Sequence, residues 1–208
     1  MLTEESANSP WSWCELFPDI IVEFTPSGSL YSLAGHWAAY LSAYRLIHGE
    51  GVEVPFPGTT LGYDSKFTET SAATLARVAI HASLYSRDFK EKIFNVAYCA
   101  TPSSMRERWP QIAEYFSLKG VAPSPIASAE DPKPTDFIRE HCDEIENAGG
   151  RKIEIFNETQ LDSVGYWLTF DRHLSLSRLR KAGFGEETKP EGGWLVAFEM
   201  FRKAGMIA

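Results

Sequence analysis

The chain has 208 residues and a formal charge of −8, from 28 acidic and 20 basic side chains. That balance argues against a nucleic-acid partner, which needs a cationic surface, and no stretch approaches the roughly 18 apolar residues of a membrane span. The opening MLTEESANSP is polar and acidic, unlike a targeting segment, which points to a cytosolic (cytoplasmic) product; the widely spaced Cys14, Cys99 and Cys142 suggest no disulfide framework.

In chain order, residues 1–10 read as a flexible tail. Trp13 to Phe24 reads as a buried strand bent at Pro18, followed by a turn at Thr25–Gly28. Leu33, Trp37, Tyr40, Leu41, Tyr44 and Ile47 recur at helical spacing, so a helix is predicted over Ser32–His48, with Gly49 as its stop. Val52–Phe56 alternates like a short strand, and 57–70 reads as a polar loop. A second helix is predicted over Ser71–Ser86, and a strand over Ile93–Ala97. A third helix runs from Ser103 to Leu118, with a kink at Pro110. The proline-rich stretch 120–135 reads as a loop. A further helix spans Thr135–Asn147 and stops at Gly149-Gly150. The segments 159–170, 175–182 and 191–204 complete the set, the last weakened at its start by Gly192 and Gly193. Three strands alternating with helices imply α/β (α+β): a helix-rich single domain over 1–208 with a small sheet.

Several stretches carry a family resemblance. They are WCELFPDIIVEFTPSGS at 13–29, LAGHWAAYLSAYRLIHGEGVEVPFPGT at 33–59, FNVA at 94–97, WPQIAEYFSLKG at 109–120, LSRLRKAGF at 176–184 and FRKAGMI at 201–207. Their order resembles the PRISE-like family (progesterone 5β-reductase and iridoid-synthase-like enzymes) of extended short-chain dehydrogenases, in its fungal style. The resemblance implies the C-terminal part of such an enzyme: the last sheet strands and the substrate-binding lid. Family members carry a glycine-rich turn and a Tyr-x-x-x-Lys pair ahead of this region. No G-x-G-x-x-G or G-x-x-G-x-x-G follows a strand here, so the expectation is a part without the nucleotide-binding half and without a nicotinamide cofactor. Tyr115 and Lys119 fit Tyr-x-x-x-Lys by spacing alone; they read as a packing residue and a helix-end charge.

By resemblance the first long helix lines the substrate cleft. His36 and Tyr40, four residues apart, are the catalytic candidates, as hydrogen-bonding partners of a substrate carbonyl. Asp64 is a third, as a base or an orienting group. Tyr31, Ser32, Tyr44 and Tyr63 would line the same cleft, with Tyr166, Trp167, Phe170 and Asp171 as its far wall and Trp13 in either a core or a wall role. The plainer reading makes Tyr40 and Tyr44 core residues, His36 a cap and Asp64 a turn former. His48, His81 and His141 lack metal-ligand spacing, so no metal site is expected, and no G-x-S-x-G elbow is present.

Three functions remain open. The first is a cofactor-independent cyclase or isomerase of specialised terpenoid or polyketide metabolism, folding a small hydrophobic substrate in an aromatic pocket, for example for an intramolecular Diels–Alder cyclisation. The second is a non-catalytic protein that binds a hydrophobic ligand or a partner, including a homodimer formed through the orphaned edge of the 13–24 strand. The third is one subunit of a split NADPH-dependent enone reductase.

Overall fold

The computed structural model describes residues 1–26, 31–148 and 158–207. The turn predicted to reach Gly28 and the glycine stop at 149–150 therefore fall outside the described residues, wholly or in part. The chain forms two compact units. One is built from Met1–Ile21, Phe67–Pro102 and Arg172–Pro190, the other from Val22–Lys66, Ser103–Asp171 and Glu191–Ala208.

The first unit centres on two parallel strands, Cys14–Pro18 and Lys92–Val96, with Leu16 opposite Phe94. Pro18 ends the first of them; after Asp19 the chain forms the short strand Ile20–Ile21, parallel to Glu69–Thr70. Thus the predicted Trp13–Phe24 strand is two pieces. Asp19 separates them because its carboxylate is engaged by Arg172 Nε at 3.0 Å and by the Thr68 N–H at 3.3 Å. The helix Ala72–Leu84 starts at Ser71, whose Oγ accepts from Thr74 N at 3.1 Å, the usual satisfaction of an orphan first-turn donor. Val78 and Ala82 of this helix, with Phe89, Phe94, Val96, Leu179 and Ala182, form one core, against which Leu16, Leu75 and Phe184 pack. Residues 1–10 are not all tail. Leu2–Ser6 is a short helix, held by the terminal amine on Glu4 at 3.0 Å and by the Ser6 hydroxyl donating to Thr3 O at 3.2 Å.

The second unit holds the predicted long helix, observed over Leu33–His48. Ser32 caps it by accepting from Gly35 N at 3.1 Å, and Gly49 closes it at φ 89°, a conformation that favours glycine. The strand Glu53–Pro55 runs parallel to Lys119–Val121. The predicted loop 57–70 contains a helix, Thr60–Asp64, because Thr59 supplies the cap, accepting from Gly62 N at 3.2 Å. The helix predicted to reach Leu118 runs over Met105–Tyr115, continuing through Pro110. It stops early because Ser117 takes φ 58°, outside the helical region. Pro134–Glu140, Cys142–Asn147, Glu158–Trp167 and Pro190–Lys203 follow. The last starts on a proline, which suits the first turn and offsets the two glycines behind it.

The core of this unit is aromatic. Trp37 stacks on Trp194 (5.3 Å, 18°) and meets Trp109 edge-on at 5.5 Å, and the indole N–H of Trp109 donates to Val54 O at 2.9 Å. All three indoles are fully buried. Aromatic pairs of this kind contribute about 0.5–1.5 kcal/mol each beyond their area.

Candidate functional site

The face of the Leu33–His48 helix that carries His36 and Tyr40 turns inward. His36 is buried, with its Nε2 3.1 Å from Asp162 Oδ1 on the Glu158–Trp167 helix. The two side chains are in close polar contact, without a well-formed hydrogen bond at Nε2. The same Asp162 oxygen accepts from the backbone N–H of Thr135 at 3.1 Å, in the first turn of Pro134–Glu140. Burial alone would raise the Asp162 carboxyl. The contacts with His36 and Thr135 outweigh it and hold the carboxyl below its ordinary value.

Around this pair the side chains grade from buried to part-exposed. The Tyr40 ring meets Tyr44 at 5.7 Å and Phe137 at 5.8 Å, both edge-on. Burial, with Tyr44 and Tyr166 nearby, pushes its phenol well above the ordinary tyrosine range, so it stays a neutral proton donor. Tyr44 OH donates to Glu53 O at 3.1 Å. Tyr166, one helical turn after Asp162, lies under the Lys133 ammonium at 3.7 Å. Burial raises the Tyr166 phenol and lowers the Lys133 ammonium. Three buried polar atoms in the group, His36 Nδ1, His36 Nε2 and Thr135 Oγ1, have no hydrogen-bond partner among the described residues. Leaving such atoms dry costs on the order of 1–3 kcal/mol each, which a water or a bound polar group would recover. The arrangement sets a phenol that stays a proton donor beside a buried imidazole in contact with a carboxylate, next to aromatic side chains.

Of the sequence-predicted residues, His36, Tyr40, Tyr44 and Tyr166 therefore share one neighbourhood. Ser32 caps their helix. Tyr63 and Asp64 form a separate group: Tyr63 is buried against Phe56 (5.4 Å) with Arg106 over its ring at 5.1 Å, and the Arg106 guanidinium binds Asp64 at 2.7 Å. That ion pair occupies the carboxylate proposed as a base. Asp171 accepts from Lys66 N at 2.8 Å, a loop-fastening role. Tyr31, Trp167 and Phe170 are exposed. Trp13 lies in the first unit, its indole N–H buried without a partner among the described residues. Tyr115 donates to Glu199 at 3.0 Å beneath Arg202 (4.6 Å), a packing role. Asp162, Thr135 and Lys133 were missed. Asp162 could have been found, since it stands four residues before Tyr166 and so shares its face.

The helices at Leu33, Thr60 and Ala72 each spend a first-turn N–H on their own capping hydroxyl, Ser32, Thr59 and Ser71. No described helix is long and apolar enough to cross a membrane.

The model of the PRISE-like Rossmann-fold domain matches residues 1–208. The chain belongs to the PRISE-like family. Curated relatives include the short chain dehydrogenase ausT of Aspergillus calidoustus, 29% identical over 100% of this chain and 51% of its own length. The short chain dehydrogenase sirQ of Leptosphaeria maculans is 25% identical over 99% of this chain and 53% of its own. This PRISE-like chain thus spans about half the length of the curated relatives it matches. Among solved structures, the GDP-mannoheptose C4 reductase of Campylobacter jejuni with NADP bound superposes with TM-score 0.52 at 14% identity, covering 97% of this chain and 53% of that one. The GDP-D-glycero-L-gluco-heptose synthase of the same organism, in the presence of NADPH, gives TM-score 0.53 at 12% identity, covering 97% and 56%. At such identities the likeness shows the fold alone.

Proposed function

We propose that this chain is the organic-substrate-binding part of a short-chain-dehydrogenase-type enzyme acting on an apolar carbonyl compound, with His36 and Tyr40 meeting the carbonyl oxygen. The observation that carries the reading is the buried His36–Asp162 pair beside a neutral phenol, with polar atoms left over. A carbonyl oxygen accepts from such donors, and in a water-poor site each bond strengthens as negative charge develops on that oxygen. Asp162 keeps the imidazole in one orientation, Tyr40, Tyr44 and Phe137 supply apolar wall, and Tyr166 with Lys133 stands at the part-exposed side. The relatives' name, short chain dehydrogenase, supports the reaction class for the whole enzyme.

Calorimetric titration of the purified chain with a polycyclic enone such as progesterone tests this. Saturable binding is expected, weakened at least about tenfold, or 1.4 kcal/mol, by His36→Ala and by Tyr40→Phe. Unchanged affinity in both variants would sink the reading.

A second reading, cofactor-free cyclisation or isomerisation of a terpenoid or polyketide, is favoured by the same two donors on one helix face. They polarise a carbonyl without hydride, and holding the reacting carbons in contact supplies several kcal/mol more. Product analysis of a linear trienone incubated with the chain, and no nucleotide, separates the two. A product ratio equal to that in buffer removes the second reading.

A further inference from the structure

The polar end of the His36 site has more hydrogen-bonding capacity than its own contacts use. His36 Nε2 and the Thr135 N–H both lie 3.1 Å from Asp162 Oδ1. Both contacts fall on that one oxygen, leaving the lone pairs of Oδ2 unused by the described residues. Thr135 is buried, and its Oγ1 has no hydrogen-bond partner among the described residues, although it stands close enough to help hold the carboxylate ionised. A threonine at a helix start commonly accepts a first-turn N–H. This one does not: the start of Pro134–Glu140 is closed by Asp136, which accepts from Lys133 N at 2.9 Å. Buried hydroxyls left dry are rare in folded chains, so the Thr135 hydroxyl calls for an occupant.

The charges at this end select the chemistry of that occupant. An anion would meet the ionised Asp162. A cation would duplicate Lys133, whose ammonium lies over Tyr166 at 3.7 Å and already feels the Asp131, Asp162 and Asp136 carboxylates. A carbonyl or ether oxygen only accepts, so it leaves the carboxylate lone pairs unanswered. A neutral hydroxyl does both: its O–H donates to Asp162 and its oxygen accepts from the Thr135 hydroxyl. We propose that Thr135 and Asp162 form a subsite for a hydroxyl group of the substrate, so that the compound bound here is a hydroxylated apolar ketone. Its carbonyl stays with His36 and Tyr40, and Thr135 sets which hydroxyl position is accepted. A site built to bond a hydroxyl discriminates against the analogue that lacks it, because its own buried polar groups are then stranded. The inference rests on the carbonyl-binding reading of the His36 site and adds a second polar anchor to it.

Calorimetric titration of the purified chain with progesterone and a panel of its monohydroxylated derivatives, one hydroxyl position at a time, tests it. At least one isomer is expected to bind at least about tenfold tighter than progesterone. That ratio is expected to collapse to parity in Thr135→Val, which keeps the side-chain shape and the backbone N–H on Asp162, and to survive in Thr135→Ser. It is also expected to survive in Tyr40→Phe, which weakens parent and derivative alike. Should Thr135→Val fail to fold, Thr135→Ala carries the same expectation. Equal affinities across the panel overturn the subsite, with a resident water only as its occupant; progesterone binding that still depends on His36 and Tyr40 then leaves the carbonyl reading standing. A gain that persists without the Thr135 hydroxyl overturns the subsite as well. Failure of every member of the panel to bind removes both.

Discussion

At the residue scale, Asp162 governs the candidate site. Removing the Asp162 carboxylate leaves the buried His36 imidazole and the Thr135 N–H without their partner, so Asp162→Ala is expected to cost about 1–3 kcal/mol in urea unfolding. A double replacement, His36→Leu with Asp162→Leu, is expected to recover part of that loss; if it is as unstable as the sum of the single changes, the two side chains do not act as a pair. The pH profile has two limbs. The Asp162 carboxyl is depressed in the folded state, so its stabilisation is present above the unfolded value of 3.8 and is lost as pH falls through the lower folded value. Tyr40 is shifted the other way. Above its unfolded value of 10.0 the unfolded chain ionises while the folded phenol does not, so stability falls as the medium turns alkaline. Tyr40→Phe should make the alkaline limb shallower, with the other raised phenols keeping the rest of it, and leave the acid limb intact, as read from unfolding free energy against pH.

At the scale of elements, a backbone contact sets where Asp162 and Tyr166 sit. Gly165 of their helix lies against Gly58 and Gly62: Thr59 N donates to Gly165 O at 3.0 Å, and a methyl group at Gly62 would land on that same oxygen. Gly62→Ala is therefore expected to cost about 3 kcal/mol through overpacking, whereas Gly185→Ala, with open space around it, should stay within about 0.5 kcal/mol; equal losses in the two denaturation curves would refute the contact. Much of this level was legible in the amino acids. The helical spacing from Leu33 to Ile47, with Ser32 and Gly49 at its ends, reports a local preference that tertiary packing did not need to override. His36, Tyr40 and Tyr44 were legible as one face for the same reason. The pairing of His36 with Asp162 was not, because it joins helices more than a hundred residues apart, and no local period encodes which faces meet. The Thr60–Asp64 helix was hidden by its glycine and threonine content, which reads as loop until Thr59 is recognised as a cap. Ser117 gave no warning of its left-handed conformation, since serine rarely adopts it.

At the scale of the whole molecule, the two units differ in how they are finished. The aromatic core of the second unit is closed over its three indoles, whereas one face of the sheet of the first shows Phe17 and Ile93 to water. Were a second copy of the chain to cover that face, the melting temperature would rise as the chain's own concentration is raised tenfold, since binding to the folded state alone stabilises it by mass action; a constant melting temperature counts against that cover.

The near-parallel stacking of Trp37 on Trp194 has an optical consequence. Two indole transitions held this close and in a fixed chiral geometry couple, so the circular dichroism of the native chain should show a split band of opposite-signed lobes. That couplet belongs to the closed core alone. It offers a colourless internal gauge of whether the second unit is intact, and Trp194→Phe should reduce it to the contribution of the Trp37–Trp109 pair.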